Sequence, residues 1–183
     1  MTLGALSWPE AQSWAGAVLA IPLGATEQHG PHLPLDTDTV IAVALARAAS
    51  LLGPTPVLVA PALPFGSSGE HAGFAGTLSI GWAATELLAH FPHWPTDSHA
   101  GHDETSLMLA LAPERVRREQ LRAGVTAALP VLWPRLRAEG VRAVSPTGVL
   151  GDPRRASAAA GRALLDGAAR ELRRLIEEWP APS

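Results

Sequence analysis

Residues 16–23 (GAVLAIPL) are apolar throughout, the pattern of a strand buried on both faces of a parallel sheet. A polar, turn-rich stretch follows over residues 24–38, where Gly24, Gly30, Pro31 and Pro34 interrupt regular structure. Residues 39–52 then read as a helix that is apolar on nearly every side, ended by Gly53-Pro54. Residues 55–63 (TPVLVAPAL) predict a second strand, and residues 64–77 a second glycine-rich polar loop. This alternation is that of an α/β protein. It places both loops at the carboxyl ends of strands, on one edge of the sheet, where open α/β sheets bind ligands and metals.

The rest of the chain is less regular. Ser7-Trp8-Pro9-Glu10 predicts a capped short helix. Residues 78–91 begin as a helix and run into a polar stretch ending at Ser106. Residues 107–111 (LMLAL) look strand-like, and Pro113-Glu114 opens a basic amphipathic helix through Arg122. Residues 125–136 are apolar but broken by Pro130 and Pro134, and residues 141–150 read as a strand and then a turn. From Ala160 onward Ala163, Leu164, Gly167, Ala168, Leu172, Leu175, Ile176 and Trp179 form a sustained helical stripe, so this helix packs one face on the core.

Length and charge narrow the classes. A chain of 183 residues is most simply one domain, residues 1–183, with room for a sizeable core. No apolar run approaches the ~20 residues of a membrane span. The amino terminus carries no basic-then-apolar leader pattern, so a cytoplasmic protein without a membrane partner is expected. A net charge of −3 argues against nucleic-acid binding. There is no cysteine, so any metal must be held by His, Asp and Glu. All 14 basic residues are arginine, which excludes a Schiff-base lysine or a lysine general base. A serine-nucleophile elbow and a phosphate-binding loop are both missing from the sequence.

The first polar loop carries the chemistry. It holds three acids and two histidines in fifteen residues. Glu27 offers a hard oxygen, His29 an imidazole nitrogen, and Asp38 a carboxylate that can bridge two ions. Such a set suits zinc, iron or manganese, and two adjacent ions can clamp an oxygen and ionise a water. The plain alternative is an acid-rich surface loop with Asp38 at a helix start. In the second loop Glu70 and His71 are candidates for contacting substrate or supporting the ligands. Four of the seven histidines, His90, His93, His99 and His102, fall within thirteen residues beside Asp103 and Glu104. That density favours a site.

Taken together these motifs resemble a known family. Glu27-Gln28-His29-Gly30-Pro31-His32-Leu33-Pro34 with Asp38, and His99-Ala100-Gly101-x-x-Glu104-Thr105-Ser106, are similar to the creatininase family of metal-dependent amidohydrolases. Phe65-Gly66-Ser67-Ser68-Gly69-Glu70-His71 with Gly76-Thr77-Leu78-Ser79-Ile80-Gly81, and Gly148-Val149-Leu150-Gly151-Asp152-Pro153, look most like its mycofactocin-system branch. The resemblance implies a three-layer α/β/α sandwich around a mainly parallel sheet, here shortened. It implies two divalent ions (zinc, iron or manganese) and no organic cofactor. Glu27 would bind one ion, His29 the other, and Asp38 both, with Glu104 at or next to the metals. His99 would act on the substrate amide, while Glu70, His71 and His32 would contact substrate or support the ligands. A peptide or small amide substrate and a homo-oligomer are also implied. The branch is similar to a peptidase that removes a carboxy-terminal dipeptide from a modified precursor peptide.

One departure stands out. Relatives carry an Asn-Gly-His-Gly-Gly-Asn-like segment between the two histidine motifs, supplying a strand and a metal-binding histidine. Only residues 81–98 lie there in this chain. An internal deletion with its seam near residues 87–94 is expected, leaving one ion short of a nitrogen ligand unless His90 or His93 replaces it. The rival reading is therefore a catalytically impaired chain that survives as an interaction or vestigial subunit. A binding module holding a single ion through Glu27, His29 and Asp38 is a third.

Overall fold

The computed structural model describes residues 1–81 and 99–178. The expected deletion seam, His90 and His93 lie outside the described residues. So does most of the helix expected over residues 78–91.

The chain opens with α1 (Trp8–Gln12), which has the expected capping box. The Ser7 backbone N–H and hydroxyl both donate to Glu10 Oε2 at 2.7 Å. Strand β1 (Val18–Ala20) then pairs in parallel with β2 (Val57–Val59), Val18 opposite Val57 and Ala20 opposite Val59. Between them runs α2 (Thr37–Ser50), so the first third of the chain is a β-α-β unit as the apolar pattern predicts. Both strands are shorter than the runs that announced them. Isolated parallel bridging between Leu23 and Leu63 carries the pairing beyond the strand ends.

The extended sheet of a full sandwich is not seen among the described residues, which hold one two-stranded sheet and are mostly helical. Three of the later elements differ from their sequence patterns. The LMLAL run belongs to helix α3 (His102–Leu111), not to a strand. Thr105 to Leu109 are all buried, so this helix shows no polar face and its sequence lacks helical periodicity. Residues 113–122 form two short 3-10 turns, Pro113–Arg115 and Arg118–Gln120. Helix α4 (Leu129–Glu139) follows, Pro130 sitting in its first turn where a missing N–H costs nothing, and α5 (Val141–Val144) is a short helix where a strand was expected. No described helix is long and apolar enough to cross a membrane.

The long helix α6 (Ala158–Glu178) matches the apolar stripe. It packs on α3 and α2, and α2 also meets α3. The approach of α6 to α3 is close: a Cβ on Gly161 would lie 1.9 Å from the Ser106 carbonyl oxygen, so only glycine fits. One core cluster joins Leu33 from the first polar loop to Met108, Leu109, Ala112 and Val116. A second gathers Leu132, Leu136, Val141, Val144 and Leu150. The first of these anchors the loop that carries Glu27 and His29 to the helix that carries Glu104. Away from this packing, Leu19, Ile21, Leu63, Phe65, Leu78 and Ile80 stand exposed around the small sheet.

Candidate metal centre

Backbone pairing folds the two polar loops onto each other. The Glu27 N–H donates to the Leu35 carbonyl at 3.0 Å, closing the first loop on itself. The Thr26 hydroxyl donates to the Pro64 carbonyl at 2.8 Å. The Leu78 N–H donates to Thr26 O at 2.9 Å, binding the far end of the second loop to the first. Asp38 lies in the first turn of α2, so a helix fixes its position. His99 is held by a two-way bridge to Leu150, with N–H···O distances of 3.1 and 2.9 Å. Just after it Ala100 adopts φ 52°, a left-handed conformation costing a non-glycine residue roughly 1–2 kcal/mol. That turn lets the Ala100 N–H donate to Glu104 Oε2 at 2.6 Å.

The result is one cluster of acids and imidazoles. His29 Nε2 lies 3.1 Å from Asp38 Oδ1 and 3.9 Å from Glu104 Oε2. His71 Nε2 lies 3.3 Å from Glu27 Oε1. The His99 ring stands between the other two imidazoles, its centroid 4.4 Å from that of His29 and 4.6 Å from that of His71. Three donor sets result, each with ligand atoms within 4.8 Å of one another: Glu27–His29–Asp38, His29–His99–Glu104 and Glu27–His71–His99. The residues fit a hard-to-borderline divalent cation. His29 Nδ1 lies 3.1 Å from the Glu27 carbonyl and donates to it, leaving Nε2 toward the acids. Metal-ligating histidines carry this arrangement of a backbone acceptor behind the ring.

The cluster has the electrostatics of a site waiting for positive charge. Burial alone would lower the His29 pKa, but Asp38, Glu104 and Glu27 outweigh it and raise it to about 10. Burial and the nearby Asp38 carboxylate push Glu27 up to about 7. His71 falls to about 3, through burial and then the neighbouring imidazoles His99 and His29. Burial likewise lowers His99. These two rings are therefore neutral near pH 7.

Not every candidate joins the cluster. His32 is fully buried and its Nε2 meets the Thr105 hydroxyl at 3.0 Å, tying the first loop to α3. Burial drives its pKa down to about 4, so it acts as a neutral strut behind the site. Glu70 is half-buried and belongs to none of the three donor sets among the described residues. His102 meets Asp103, with Nδ1 2.9 Å from Oδ1, and is likewise outside the three sets. Gln28, which lies in the first motif with no role assigned to it there, is 5% exposed and touches both His71 and His99.

Comparison with known proteins gives a consistent answer. The family model described as creatinine amidohydrolase (Creatininase) matches residues 4–90 and again 82–176. The chain is 41% identical over 217 positions to a mycofactocin precursor peptide peptidase of Mycobacterium tuberculosis (strain ATCC 25618 / H37Rv), covering 90% of this chain and 86% of that protein. Those 217 positions exceed the 183 residues available, so at least 34 of them face gaps in this chain. Among solved structures, a creatinine amidohydrolase superposes with a TM-score of 0.77 at 23% identity, covering 100% of this chain and 98% of that one. A creatininase variant of Zn-Zn type superposes with a TM-score of 0.76 at 22% identity and 98% coverage of both chains.

Proposed function

The chain belongs to the creatininase family, and on that premise we propose that it is a metal-dependent peptidase. Its substrate is a precursor peptide of the mycofactocin type, cut near the carboxy terminus to release a dipeptide. The observation that carries this reading is the convergence of Glu27, His29 and Asp38 with His99 and Glu104, from two separate segments, into overlapping donor sets.

In this reading Glu27 and Asp38 would hold one ion, and His29, Asp38 and Glu104 would hold the second. Bound there, the ions supply Lewis acidity and lower the pKa of a water. The remaining work falls to the chain's own groups. The His99 Nε2 lies 2.6 Å from the Gln28 carbonyl and its proton is used there, so Nδ1 is the basic nitrogen. Nδ1 takes a proton as water oxygen bonds to the amide carbon, and returns it to the leaving nitrogen as the C–N bond breaks. The Glu27 carbonyl accepts from His29 Nδ1 and so holds the ring with Nε2 toward Asp38 and Glu104. We take the working molecule to be a homo-oligomer, as the resemblance of its motifs implies.

Metal analysis of Glu27→Ala and Asp38→Ala proteins tests this. Each variant should lose most of its bound metal and nearly all peptidase activity while remaining folded. Unchanged stoichiometric metal in both would remove the ligand assignment.

The alignment positions that face gaps favour a second reading. An internal deletion near residues 87–94 would remove a nitrogen ligand and leave an impaired chain. Grafting the relatives' segment back into the chain separates the two. Activity no higher than that of the native chain retires the impaired reading.

A further inference from the structure

We propose that Gln28 is a positioning residue that decides which ring nitrogens of His71 and His99 carry their protons. Its side chain is almost wholly buried and meets backbone groups that fix the orientation of its amide. The Gly30 N–H can only donate, and it donates to Gln28 Oε1 at 2.8 Å. The Gly148 carbonyl can only accept, and Gln28 Nε2 donates to it at 3.3 Å. The remaining Nε2 proton points at His71 Nδ1, 2.9 Å away. His71 Nδ1 must therefore be unprotonated, and a neutral ring then carries its proton on Nε2. That nitrogen is the one facing Glu27.

The backbone of the same residue sets the other ring. The Gln28 carbonyl accepts from His99 Nε2 at 2.6 Å. The 3.2 Å approach of Gln28 Nε2 to that same nitrogen is then a contact between two donors, not a second hydrogen bond. Both histidines thus hold their proton on Nε2, with opposite consequences. His99 keeps a lone pair at Nδ1. His71 presents an N–H to Glu27 and cannot offer Nε2 to a cation while Gln28 remains in place. Of the three donor sets, Glu27–His71–His99 is thereby disqualified as a metal site, although its spacing alone would qualify it.

The catalytic meaning of this arrangement rests on the hydrolase reading, but the tautomers do not. They are read in the metal-free chain, so failure of one is distinguishable from failure of the other. The experiment is long-range 1H–15N correlation of 15N-histidine-labelled, metal-free protein at pH 7. His71 and His99 should each give the Nε2–H pattern. Gln28→Glu keeps the size and still accepts from Gly30, but presents an oxygen to His71 Nδ1. His71 should switch to the Nδ1–H form, freeing Nε2 as a ligand with a carboxylate behind the ring. Gln28→Met removes both polar groups, and His71 should then populate both tautomers while His99, held by the backbone, stays unchanged. An Nδ1–H form of His71 in the unaltered protein overturns the proposal without any variant. So does a His71 that keeps Nε2–H in Gln28→Glu.

Discussion

The cluster has two halves that are built differently. Glu27, His29 and Asp38 lie within twelve consecutive residues and reach one another through a single loop and the first turn of α2. His71, His99 and Glu104 come from distant segments. The contacts of Gln28 with His71 and His99 span 43 and 71 positions, and its contact with Gly148 spans 120. The near half needs little beyond its own loop, whereas the far half depends on the tertiary fold. On the proposed reading the near half, with Glu104, would supply the charge that binds a cation, and the two far imidazoles are neutral groups whose protons must be placed by their neighbours.

The sharpest way to break the comparison is to disturb only the far half. Gly148 has φ 81°, and a Cβ there would lie 1.7 Å from Gln28 Oε1. Gly148→Ala should displace Gln28 and cost roughly 1–3 kcal/mol, a melting-temperature drop of roughly 2–12 °C for a chain this size. Its zinc affinity should fall much less than that of Asp38→Ala. Equal metal loss in both variants, read by calorimetric titration, would erase the distinction between the halves.

A smaller cut tests the strut between loop and helix. Thr105→Val leaves His32 Nε2 without its hydroxyl partner in a fully buried setting. Stranding a buried polar group costs about 1–3 kcal/mol, so chemical denaturation should show a lower midpoint. Tight metal binding by the near half should survive.

The gentlest probe is pH. His29 stays protonated up to about 10 in the metal-free chain, so zinc must displace a proton to reach Nε2. Apparent zinc affinity should rise roughly tenfold per pH unit for each proton displaced, measured between pH 6 and 8. The sign for folding is opposite. Because the folded pKa is raised from 6.5, the stability His29 gains from its acids is full below 6.5 and fades as pH climbs through about 10. Zinc titrations in buffers of different ionisation enthalpy check the first; melting of the metal-free chain against pH checks the second.

The same division decides what was legible in the sequence. The near half is visible because its residues are adjacent and follow an apolar strand. The β-α-β unit and α6 are visible because their patterns have clear periods. Helix α3 misleads because Thr105 to Leu109 are buried on every side, erasing the polar face that marks a helix. The strand expected at residues 141–150 contains α5 instead, and only Leu150 pairs, through its bridge to His99. Gln28 is silent for another reason. An amide between Glu27 and His29 looks unremarkable until the chain brings Gly148 and His71 against it. His71 could be singled out by its loop, but its proton position could not.

The most direct test of the central claim is anomalous diffraction from zinc-loaded crystals. The account predicts two zinc peaks at the cluster. One should lie about 2 Å from Glu27 and Asp38, and the other about 2 Å from His29 Nε2, Asp38 and Glu104, with His71 bound to neither. Zinc held elsewhere, or Glu27, His29 and Asp38 turned apart with no shared ion, would contradict it.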